Sequence, residues 1–272
     1  MRIFAALAAL MLAALPAHAT TYIPGEFVTF DQSAWGSAPD GFNAATLLEN
    51  NFDTIFAPFG GYMEMGVPGM AGFSMTFADA DSVIAYLPAT GAPGLLTADL
   101  LDPVSSASGV FGGEVVAATL NVAVSDAGGI AHPAGVSFGD LVFQNLDSLI
   151  GEPTGPSGVL FGPEIANLDG FTVRDVLLEA NLRLGGEKSF ASQFSPDELD
   201  AVLGFADTAF NEGLLNLGAQ YLALPSSDDG GGGDGPAVPE PSSWAMLLVG
   251  FAGLGFARRW RTLRRRAVVG AP

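Results

Sequence analysis

The chain has 272 residues, enough for one sizeable domain or two small ones, with 10 basic and 29 acidic side chains and a formal charge of −19. Between Thr20 and Val238 the imbalance is steeper: 28 acids stand against Arg174, Arg183 and Lys188, a formal charge of −25. That excludes a nucleic-acid partner, which needs clustered Lys and Arg. The absence of cysteine excludes a disulfide framework, a thiolate metal site and a thiol nucleophile.

The first segment reads "MRIFAALAALMLAALPAHAT". Arg2 is a minimal positive region, Ile3 to Leu15 is an unbroken apolar run, and Pro16 ends any helix there. Ala17 and Ala19 are the small residues that signal peptidase requires. The pattern predicts a secretory signal peptide over residues 1–19, too short to be retained as a membrane span.

Residues 20–224 form the extracytoplasmic body of the chain. Its first third carries aromatics and alternation broken by glycine and proline. "EFVTF" (26–30), "DTIFAPFGGYMEMGV" (53–67) and "FSMTF" (73–77) therefore read as short strands. "ADADSVIAYL", ending before Pro88, reads as a short helix with Asp79 or Asp81 at its N-terminus. In "GGEVVAATLNVAVSD" the residues Val116, Ala118, Leu120, Val122 and Val124 alternate as in a strand. The same stretch fits a helix apolar nearly all round, and its length from Glu114 to Asp126 favours that buried helix. "FGDLVFQ" (138–144) suits a further strand.

Two later helices are clearer. In "GFTVRDVLLEANLRLGG" Val173, Val176, Leu177, Ala180 and Leu184 share a face, Gly185 and Gly186 stop the helix, and Glu179 and Arg183 are spaced to pair. In "SPDELDAVLGFADTAFNEG" Ser195 caps, Pro196 takes the first turn and Glu198 completes a capping box. Leu199, Val202, Leu203, Ala206 and Phe210 follow at helical spacing, with Gly213 as the stop. The expected fold class is α+β, with short strands in the N-terminal half and several amphipathic helices in the C-terminal half. One C-terminal transmembrane helix completes it.

The body nominates no catalytic, cofactor-binding or metal-ligating residue. Once His18 leaves with the signal peptide, His132 in "GGIAHPAG" is the one histidine, and its loop setting supports neither a nucleophile triad nor zinc. No glycine-rich loop is followed by Lys-Ser or Lys-Thr, and "GVFGGE" lacks the strand that a dinucleotide site requires. Paired carboxylates are the surviving enzymatic option, with a glycan as the substrate class. Glu64, flanked by Met63 and Met65, and Glu114 are the acids best placed for raised pKa values, although a strand would turn Glu64 outward. Calcium is the one cation the acidic composition suits, in a calcium-dependent adhesion module.

Pro225 to Ala237, "PSSDDGGGGDGPA", is a flexible, hydrated linker. Beyond it Trp244 to Ala257 is a 14-residue run without a charge. As a helix it would be about 21 Å long against roughly 30 Å of hydrocarbon. Ser242 and Ser243 extend it, giving a transmembrane helix at about 242–257 flanked by Trp244 and Trp260. Six of the ten basic residues follow at once, Arg258, Arg259, Arg261, Arg264, Arg265 and Arg266. The positive-inside rule keeps that tail (258–266) cytoplasmic and the acidic body outside.

Residues 238–266, "VPEPSSWAMLLVGFAGLGFARR" and the arginines after it, resemble a PEP-CTERM sorting signal. Its motif here is Pro239, Glu240 and Pro241. The resemblance implies export by a Gram-negative, exopolysaccharide-making bacterium. It also implies recognition by an exosortase-type transpeptidase that cuts near the motif, which makes the membrane helix temporary. The two prolines would hold the recognised peptide extended. On that reading the chain is a substrate of sorting, with a structural or interaction role at the cell surface or in exopolysaccharide. The order of segments from Val83 to Gly186 is also similar to a domain of exported bacterial surface proteins. That second resemblance implies an extracellular setting and no site.

Overall fold

The computed structural model describes residues 22–69, 72–155, 157–187 and 190–225. The signal peptide, the linker from residue 226 onward and the transmembrane helix with its arginine tail lie outside the described residues. Among the described residues no helix is long and apolar enough to cross a membrane.

The body is mixed helix and strand. Among the described residues six α-helices occur: α1 (Gln32–Trp35), α2 (Ala44–Phe56), α3 (Ala80–Tyr86), α4 (Gly109–Asp126), α5 (Val173–Leu184) and α6 (Pro196–Ala209). The strands are short: β1 (Met63–Gly66), β2 (Ser74–Phe77), β3 (Leu100–Leu101), β4 (Val142–Phe143) and β5 (Leu222–Ala223). β1 pairs antiparallel with β2, and β2 runs parallel to β3. β4 and β5 form a separate antiparallel pair, matching Val142 with Ala223 and Phe143 with Leu222. The end of the body is thereby fixed beside β4, where the chain leaves for the linker.

Each well-predicted helix starts at a side chain that satisfies an otherwise orphaned backbone N–H. Asp79 caps α3 by accepting from Ser82 N at 2.8 Å. Thr172 and Asp175 form a reciprocal capping box on α5, as do Ser195 and Glu198 on α6. α4 is the buried helix that its length suggested, starting at Gly109, five residues before Glu114. Val115, Val116, Ala117, Ala118 and Leu120 have no accessible surface, so the helix is covered all round by α1, α5 and α6. Covering both sides explains why its apolar pattern carries no single face.

Five expectations are corrected. Strands do not precede helices; the two kinds alternate, because α1, α2 and α3 lie in the first third. The "DTIF" of residues 53–56 ends α2, and only Met63–Gly66 of the stretch 53–67 is strand. Asn43 starts α2 by accepting from Thr46 N, and Ala45, Leu48, Phe52 and Phe56 form its buried stripe. "EFVTF" makes one isolated bridge, Thr29 with Asn211, and "FGDLVFQ" gives a 3-10 turn at Phe138–Asp140 before the two residues of β4. α6 stops at Ala209, so Gly213, at φ +79°, serves the turn after the helix.

Candidate functional site

The densest chemistry lies between α4 and α6. Glu114 and Asn121 stand seven residues apart on α4, two turns along one face, and Asp200 and Asp207 have the same spacing on α6. Asp207 has no accessible surface. Its Oδ1 accepts from Asn121 Nδ2 at 2.9 Å, while Oδ2 meets no N–H donor. Glu114 lies against α6, its Cδ 3.7 Å from where a Cβ on Gly204 would stand, and its carboxyl and that of Asp207 are charged neighbours. Two such carboxyls can share a hydrogen bond only when one holds a proton. Glu114 Oε1 accepts from Gln32 Nε2 at 2.7 Å, and Gln32 Oε1 accepts from Ala89 N at 3.0 Å.

Burial and like charge act in one direction here. Desolvation, then the neighbouring Glu114, pushes Asp207 well above the ordinary carboxylate range. Desolvation likewise raises Glu114, against the pull of its hydrogen bonds to Gln32 and Asp207. Asp200 is pushed up to about 7, by burial first and then by Glu114 and Asp197. Among the described residues one open groove lies beside Gln144, Asp169 and Leu224 and another beside Phe30, Phe42 and Glu212. Neither is lined by Glu114, Asp200 or Asp207.

Glu64 stands on β1 opposite Thr76, partly buried, and accepts from Ser74 Oγ at 2.8 Å. Its pKa is raised, with burial as the main cause and Asp99 a smaller one. Asp99 itself accepts from Ser74 N at 3.0 Å, so this serine separates the two acids. His132 lies in the loop after α4 with its Nδ1 3.0 Å from the Pro133 carbonyl. Among the described residues no group of three or more His, Asp or Glu side chains is arranged to hold a metal ion.

Sequence reasoning singled out Glu114 and missed Asp207, Asp200, Asn121 and Gln32. The available signal was a Glu and an Asn two turns apart in an otherwise apolar helix. The two arginines among the described residues are also engaged within the body. Arg174 grips Asp126 through two 2.9 Å bonds and lies 3.5 Å from Asp140, and Arg183 Nε donates to the Phe194 carbonyl at 3.1 Å.

The functional assignment comes from outside this body. Residues 237–265 match the PEP-CTERM protein-sorting motif, a segment that includes Pro239, Glu240, Pro241 and the arginines from Arg258 to Arg265. Arg266 lies one residue beyond it. No curated protein and no solved structure matches the chain. The chain carries the sorting signal of an exosortase substrate, which implies export and membrane-linked sorting toward the cell surface. Ala17, Ala19 and all the residues of the sorting segment lie outside the described residues.

Proposed function

We propose that the body is a non-catalytic, acidic interaction module, which its C-terminal signal delivers to the cell surface or to exopolysaccharide. The observation that carries this reading is the sorting-motif match immediately downstream of a folded domain. Two features support it. Glu114 and Asp207 bond to side-chain amides of the body, and the two described arginines are taken up by Asp126, Asp140 and the Phe194 carbonyl, so few of the many surface acids have a cation beside them among the described residues. In such a setting Pro239, Glu240 and Pro241 act as recognised peptide, Ala17 and Ala19 as the signal-peptidase site, and the six arginines as a cytoplasmic stop.

The test is co-sedimentation of the mature protein with exopolysaccharide from its own host, beside a chain lacking residues 237–265. Retention of the mature protein on the polymer, with the truncated chain held back in the periplasm, is the expected result. Release of sugar from the polymer would replace this reading with a glycan-active enzyme. Retention abolished by a chelator would replace it with calcium-dependent adhesion.

A further inference from the structure

We infer that Asp207, Glu114 and Asp200 form a proton-dependent latch that joins α4, α6 and the segment before α1. It is tight in mildly acidic surroundings and loosens as the pH rises. Asp207 is wholly buried, one oxygen is held by Asn121, and the other has no hydrogen-bond partner, with the Glu114 carboxyl as its nearest charged neighbour on α4. All the other donors to the pair are neutral amides, from Gln32 and Asn121. Asn121 carries the effect further, because it also bonds both backbone groups of Phe30.

The charged groups around the pair are acids. Asp31 faces it from the cap of α1, and Asp200 and Asp197 stand along α6. α5, packed on both helices, carries Arg174, Asp175, Glu179 and Arg183. Arg174 is bound to Asp126, Asp175 caps its own helix, and Arg183 is turned to Phe194. The turn Phe138–Asp140 offers α4 only Asp140, which is tied to Ser137 and Arg174. The turn Leu217–Tyr221 offers α6 no charge beyond the Tyr221 phenol. Among the described residues neither carboxyl forms an ion pair, and two adjacent carboxyls, one wholly and one half-buried, resist ionising together.

The sign follows from linkage. The folded values are raised above the unfolded ones, so the folded state binds more protons than the unfolded chain once the pH passes about 4. Stability from this cluster is complete below that point and is lost as the pH climbs, for Asp200 through about 7. Ionising Asp207 would then strain the joints to Glu114, to Asn121 and through Asn121 to Phe30. General repulsion among surface acids also grows with pH, but variants that cannot ionise at the latch retain that background.

The experiment is thermal unfolding of the full-length protein in detergent at fixed ionic strength, from pH 5 to pH 8. The wild type should lose roughly 5 °C or more in Tm across that range. Asp200→Asn/Asp207→Asn should lose much less, because neither amide ionises and an amide at 207 has an N–H to offer the Glu114 carboxyl. A wild-type Tm that stays level or rises would overturn the latch, as would a double variant that falls as steeply. Infrared spectra of the wild type give a check that needs no variant. A protonated-carboxyl band persisting at pH 7 is expected, and its absence would contradict the proposal.

Discussion

The side-chain amide of Asn121 pairs with both backbone groups of Phe30, donating to its carbonyl and accepting from its N–H, each at 2.9 Å. These residues are 91 positions apart. A single buried amide thus anchors the N-terminal segment to α4, and its remaining donor holds Asp207. Asn121→Ala should strand the Phe30 N–H and carbonyl and one carboxyl oxygen. A loss of about 3 kcal/mol is expected, since each unsatisfied buried group costs roughly 1–3 kcal/mol. Urea unfolding at pH 6 would measure it; a loss under about 1 kcal/mol would show that the segment repacks.

Two glycines on the facing helices should respond in opposite ways to alanine. On propensity alone, Gly→Ala in a helix interior is favourable by about 1 kcal/mol. At Gly204 a new Cβ would sit 3.7 Å from Glu114 Cδ, an ordinary contact, so Gly204→Ala should stabilise by roughly 0.5–1 kcal/mol. At Gly113 the Cβ would collide with the Gln32 side-chain amide, which is pinned by Glu114 and by Ala89 N. Gly113→Ala should therefore lower Tm despite the better propensity. Equal gains from both would mean that Gln32 moves freely.

The start of α6 separates a local cap from a tertiary one. Ser195 serves only its own helix end, and Ser195→Ala should cost about 1 kcal/mol. Glu198 completes that box through Oε2 and also accepts from Gly162 N at 2.8 Å through Oε1. Glu198→Ala should cost clearly more and speed proteolysis in the loop before Gly162. Equal losses for the two variants would remove the long-range role.

Arg174 offers a contrast in exposure. Its fork on Asp126 joins the start of α5 to the end of α4, yet the two side chains are 31% and 40% exposed. Solvent screening limits such a pair to about 1 kcal/mol or less. Arg174→Gln should therefore shift Tm slightly, and by less in high salt. A shift as large as that of Asn121→Ala would mean that the pair acts with Asp140 as a network.

Much of the local structure was legible because the code for it is local. Asp79 and Ser195 announce their helices within four residues, and Gly185 closes α5 where expected. α2 was missed, although Asn43 and the stripe Leu48, Phe52 and Phe56 carry its signal, because its end runs into an aromatic stretch that read as a strand. The two-residue strands β3 and β5 leave no pattern of their own, since partners elsewhere define them. The carboxyl latch was half legible. Glu114 stands out in an apolar helix, but Asp207 lies on α6 among residues that read as an ordinary amphipathic face. Distance between side chains is a tertiary fact that neither helix encodes alone.

The sorting claim is tested most directly by the intact mass of the mature protein isolated from its native host, with Glu240→Ala alongside. A C-terminus near Pro239–Pro241 is predicted, with the arginine tail absent from the wild type and retained in the variant. A wild-type chain that keeps Arg258 to Arg266 and fractionates with the inner membrane would contradict it. The body would then work on a permanent single-pass anchor.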